Sequence, residues 1–172
     1  MYNYIIIGNI CSCFAMITEA ASTTLKTAQK MLLVQGISQL MWFTSTIILK
    51  GYSGSVQNAV GILRNFVAVK GIENKAIEWT ICALGVVLGV YFNNIGIMGY
   101  LPVVANLEYT IAVFRFKDNE RALKKCFLVC AFMFAVFHLS IYNFVGFASN
   151  LAIFATTAIV LIKRKPDGDA KG

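Results

Sequence analysis

Apolar residues fill this chain in runs of about twenty, and the polar positions fall mostly in short breaks between them. Crossing a hydrocarbon core of about 30 Å takes roughly 20 apolar residues in a helix, so each run reads as one span. The breaks are rich in Lys, Gly or Asn and predict helices over 3–22, 30–49, 52–70, 76–92, 97–115, 122–140 and 144–163. The pattern predicts an all-α membrane protein with seven transmembrane helices. Residues 2–22 have the length of a cleaved leader, but no Lys or Arg precedes Lys26, and a leader needs a positive start. That segment reads as a retained first helix.

The cations test the count, because a correct count puts Lys and Arg on alternate connections. Lys26 and Lys30 fall between helices 1 and 2, and Lys70 and Lys75 between 3 and 4. Arg115, Lys117, Arg121, Lys124 and Lys125 cluster around the 5–6 connection, and Lys163, Arg164, Lys165 and Lys171 follow helix 7. The other connections hold Lys50 alone, and Arg64 lies within helix 3. This asymmetry predicts an N-terminus outside and a C-terminus in the cytoplasm, whereas a six-helix count breaks the alternation.

Composition agrees: 58% of residues are hydrophobic and 13% charged, where a soluble domain carries roughly a quarter charged. The net charge of +7 brings no basic face with interleaved aromatics, so a nucleic-acid partner is not expected. The expected partners are the lipid bilayer and a small polar solute, and a homo-oligomer is compatible with the sequence. Cys11, Cys13, Cys82, Cys126 and Cys130 all lie in apolar runs, where free Cys acts as a small hydrophobe. Cys126 and Cys130 share a helix face without His or carboxylate neighbours, so neither a metal nor another cofactor is expected.

Three helices, one return helix and three helices make two units of the same orientation, as a parallel repeat requires. The expected division is a first repeat over 1–71, a linker helix over 72–96, a second repeat over 97–165 and a cytoplasmic tail over 166–172. Gly54-Ser55-Val56-Gln57-Asn58 has a counterpart 92 residues on in Gly146-Phe147-Ala148-Ser149-Asn150, and Met41-Trp42 has one in Met133-Phe134. Glu19 precedes Lys26 by seven residues and Glu108 precedes Arg115 by seven, at an offset of 89.

Polar residues inside the runs carry the functional signal, because a bilayer offers them no water. Asn58 and Asn150 fall at equal depth, and opposed carboxamides would present donors and acceptors to an uncharged polar solute. The same pair could instead close an interhelical hydrogen bond. Gln57 and Asn106 are further candidate lining residues. Arg64 either snorkels to the cytoplasmic interface or meets Glu19 and Glu108, at similar depth, to form an inner gate. Pro102, after Gly99, is a candidate hinge in helix 5. His138, the single histidine, reads as a packing or hydrogen-bonding residue, and Trp42 as core or interfacial.

The stretches Gly54 to Arg64 with its Asn-x5-Arg core, Leu101-Pro102-Val103 running on to Phe114-Arg115, and Tyr142-Asn143-Phe144 resemble the YgjV-type family of small bacterial inner-membrane proteins. That resemblance implies a location, the bacterial inner membrane, and no substrate. The arrangement of three helices, a linker and three helices, with Asn in the third helix of each unit, more distantly resembles the SWEET and PQ-loop sugar transporters. There, paired Asn residues contact sugar and prolines in the first two helices of each repeat act as hinges. Asn58 and Asn150 match the first feature, and only Pro102 matches the second. The expected function is a facilitative, SWEET-like transporter of a small polar solute such as a sugar. The alternative is a non-transporting scaffold, and no catalytic spacing suggests an enzyme.

Overall fold

A computed structural model describes residues 3–116 and 118–163. The tail at 166–172 and the cations Lys117, Arg164, Lys165 and Lys171 lie outside the described residues. The helices are α1 (Asn3–Thr24), α2 (Ala28–Ile48), α3 (Tyr52–Val69), α4 (Lys75–Tyr91), α5 (Tyr100–Phe116), α6 (Glu120–Ser140) and α7 (Phe144–Lys163), and a 3-10 turn at Gly96–Gly99 leads into α5. Among the described residues there is no strand.

The helices pack in a closed ring in the order α1, α2, α3, α5, α6, α7 and back to α1, and α4 lies against α3 and α5. Their polarity is inside out. On α1, Ile6, Ile10, Phe14 and Ile17 are exposed on one stripe, whereas Ser12, Glu19, Ser22 and Thr23 are buried. Water would reverse that distribution, and hydrocarbon accounts for it. Among the described residues five segments are long and apolar enough to cross a membrane: α1, α2, Gly96–Phe116, α6 and α7. The other two helices depart from the simple expectation for separate reasons. α3 carries Gln57, Asn58, Arg64 and Asn65, and eleven of its 18 residues are buried, so it meets its neighbours more than lipid. α4 has 17 residues, a length of about 26 Å.

The α2–α3 and α6–α7 hairpins are built alike at an offset of 92. α2 and α6 begin and end at corresponding residues. The Lys50 N–H donates to the Ile47 carbonyl as Tyr142 does to Leu139, and Gly51 donates to Thr46 as Asn143 does to His138. Lys50 and Tyr142 both adopt positive φ, 60° and 57°, the left-handed residue that closes such a helix end. A side chain there is strained by about 1–2 kcal/mol, which glycine relieves. Tyr142→Gly should therefore raise stability by about 1 kcal/mol in detergent thermal unfolding. A lower melting temperature would contradict a left-handed residue at this turn.

Candidate functional site

A cavity of about 40 Å³, with room for one or a few water molecules, lies at the centre of the ring. Glu19 from α1, Asn58 and Arg64 from α3, Asn106 from α5, His138 from α6 and Asn150 from α7 all line it. So do three pairs separated by 92 residues: Gln39 with Ala131, Trp42 with Phe134, and Asn58 with Asn150. Phe137 packs against α3, where Gly54 leaves no room for a side chain: a Cβ there would lie 2.5 Å from the ring. At the opposite end Met31, Leu32, Tyr109, Leu123 and Phe127 belong to the main apolar core.

Arg64 is buried and held on several sides. Its Nε donates to Asn65 Oδ1 (2.9 Å), and its Nη1 donates to Asn106 Oδ1 (2.7 Å) and Thr110 Oγ1 (3.3 Å). Its guanidinium carbon lies 4.7 Å from the centre of the Tyr109 ring, within cation–π range. Asn106 in turn donates to Gln57 Oε1 (2.8 Å), and Gln57 donates to the Gly85 carbonyl on α4 (2.7 Å). A Cβ on Gly89 would strike the Gln57 amide, so glycine there makes the α4 bond sterically accessible. Gln57 and Asn106 thus line the cavity with their amides engaged in a chain that orients Arg64. The guanidinium does not snorkel, and among the described residues its hydrogen bonds come from Nε and Nη1 and none from Nη2.

The Glu19–Arg64–Glu108 ion-pair arrangement is not what the chain adopts. Among the described residues Arg64 pairs with neither carboxylate, because its donors meet Asn65, Asn106 and Thr110. Glu19 faces the cavity and accepts from Ser38 Oγ (2.8 Å) and Trp42 Nε1 (2.6 Å), both at Oε2, with no bond to Oε1 among the described residues. Glu108 meets Cys126 on α6 instead. Pro102 is the third residue of α5, where its missing N–H costs no bond within that helix. The break in α geometry falls one turn earlier, at the 3-10 turn, so a bend would centre there rather than on the proline.

Asn58 and Asn150 do not bond each other. Asn150 Nδ2 donates to the Gly146 carbonyl of its own helix (2.9 Å), and Asn58 Nδ2 is buried without a partner. Gln39 Oε1 is also buried and unpaired. Buried polar groups in proteins are overwhelmingly hydrogen-bonded, so these two, beside a cavity with room for water, mark a place for a polar occupant, water included.

His138, Trp42 and Gln39 were not singled out by the sequence as lining residues. The 3.6-residue period offered a signal: Gln35, Gln39 and Trp42 fall on one face of α2. Asn143 Oδ1 accepts from the Gly146 N–H (2.8 Å), which turns its Nδ2 toward His138 Nδ1 (3.1 Å). An amide nitrogen only donates, so Nδ1 is the acceptor and the ring proton sits on Nε2. His138 also stacks on Trp42, with centroids 4.8 Å apart.

No curated protein and no solved structure matches this chain. A family model does, the one described as Imp-YgjV, bacterial inner membrane protein, over residues 6–164. With its apolar exterior, its spans and a match over nearly its whole length, the chain belongs to the YgjV family of bacterial inner-membrane proteins.

Proposed function

We propose that this chain is a facilitative transporter of a small polar solute. Its seven helices would all cross the membrane as two parallel three-helix units joined by α4, N-terminus outside and C-terminus inside. The matched hairpins, the cyclic packing order and the repeat-related pairs around one cavity support that arrangement. α3 and α4 count as spans because short turns join them to neighbouring spans and the polar side chains of α3 turn inward. Carrier action is the reading here, not catalysis.

One observation carries the functional reading: unpaired polar atoms of Asn58 and Gln39 stand beside a small cavity at the centre of the ring. At about 40 Å³ the cavity is far smaller than the 300 Å³ or more of a typical ligand pocket, so a sugar would need the ring to widen. The same smallness favours a second reading, a scaffold in which the polar groups only join helices.

Counterflow into proteoliposomes across sugars, polyols and amino acids separates the two readings. Saturable flux of one solute should appear with the native chain and fall about tenfold or more in the folded Asn58→Ala/Asn150→Ala double variant. Absence of flux for every solute, with the double variant only less stable, would replace the carrier by the scaffold.

A further inference from the structure

The cavity is bordered by opposite charges that leave part of each unengaged. Among the described residues Glu19 accepts both of its side-chain bonds at one carboxylate oxygen and none at the other, while Arg64 donates from Nε and Nη1 and not from Nη2. Each is held in place by its own set of partners, some of which also line the cavity. Ser38 and Trp42 fix the carboxylate, and Asn65, Asn106, Thr110 and the Tyr109 ring fix the guanidinium. They line one space and feel each other's charge, and among the described residues no salt bridge joins them.

We propose that the transported solute is a small zwitterion, an amino acid of about the size of glycine or alanine, with its ammonium at Glu19 and its carboxylate at Arg64. This inference rests on the transporter reading above and narrows its solute class. A solute with one charge would leave the opposite wall of a dehydrated site unmatched, and an uncharged sugar would match neither charge in full. A zwitterion supplies both and adds no net charge to the bundle. Asn58 and Gln39, unpaired beside the same cavity, offer a donor and an acceptor to its remaining polar atoms. At about 40 Å³ the cavity would have to widen even for alanine, and the shortest side chains ask for the least widening.

The test is counterflow of labelled alanine into proteoliposomes, with unlabelled alanine, propionate, ethylamine and glucose as competitors. Native protein should exchange alanine, and unlabelled alanine should compete about tenfold or more better than either single-charge analogue. Glu19→Gln keeps an acceptor for Ser38 and Trp42 but removes the charge, so alanine should lose its advantage over propionate. A structural role for Glu19 would lower all fluxes and leave that ratio unchanged, which would overturn the assignment. Saturable glucose or polyol flux that alanine does not inhibit would also overturn it while leaving the transporter reading intact. Absence of flux for every solute, including a sugar and polyol panel, would remove both.

Discussion

Replacing Arg64 by Met should lower the stability of the folded bundle by about 3–5 kcal/mol, the largest effect expected of any single substitution here. The change strands the Asn106 and Asn65 carbonyl oxygens, which now accept from the guanidinium, and leaves the chain through Gln57 to Gly85 with a free end. It also acts on the unfolded chain. An arginine on an unpacked helix in lipid costs about 2.5–3.5 kcal/mol on insertion scales, and methionine removes that cost from the competing state. Both terms have the same sign. Arg64→Lys should fall between native and Met, because an ammonium keeps the charge but cannot reach Asn65, Asn106 and Thr110 in one fork. Unfolding in bicelles by steric trapping measures the difference directly. A Met variant as stable as native would mean that the buried network contributes nothing net.

The axial position of this network was legible in the sequence, and its angular position was read less well. Counting residues from the ends of each run places Asn58, Asn150, Glu19 and Arg64 at definite depths, and the structure brings all four to one cavity. Depth says nothing of the direction in which a side chain points. Asn106 and Glu108 were both candidates, yet two residues on a helix are about 200° apart, so they cannot share a face. Asn106, Tyr109 and Thr110 turn toward Arg64, and Glu108 turns to Cys126. The helix period was sufficient to exclude one of them.

Other features depended on partners that no local pattern names. Gln57 reads as a free amide until α4 places the Gly85 carbonyl against it. His138 reads as packing until the Asn143 amide sets its tautomer. The fold was more legible than the site for a physical reason. Span boundaries follow from the length of each apolar run, which is local, whereas the pairing of buried polar groups depends on how helices rotate about their axes. Pro102 illustrates the limit from the other side, since its effect depends on whether the helix starts before or after it.

Asn143→Leu should cost about 2–4 kcal/mol, although the residue sits in a turn where most substitutions are mild. The side chain is fully buried and joins three elements: Nδ2 donates to Ser12 Oγ on α1 (2.9 Å) and to His138 on α6, and Oδ1 caps the Gly146 N–H at the start of α7. Leucine has a similar volume and leaves the Gly146 N–H and His138 Nδ1 without partners. Ser12 and Ser45 suffer less, because they bond each other at 2.7 Å and share the Gly8 carbonyl. The equivalent turn residue in the α2–α3 hairpin is Gly51, whose N–H makes the same backbone bond to Thr46 as Asn143 makes to His138. The turn itself therefore does not require Asn, and the cost of removing it measures the side-chain bonds alone. A double variant that also replaces His138 by Phe should recover part of the loss, since one of the stranded groups is then gone. Additive losses in thermal unfolding of the two single variants and the double would show that Asn143 and His138 act independently. A positive coupling of about 1 kcal/mol or more would instead identify their bond as the link that fixes the α6–α7 turn against the cavity wall.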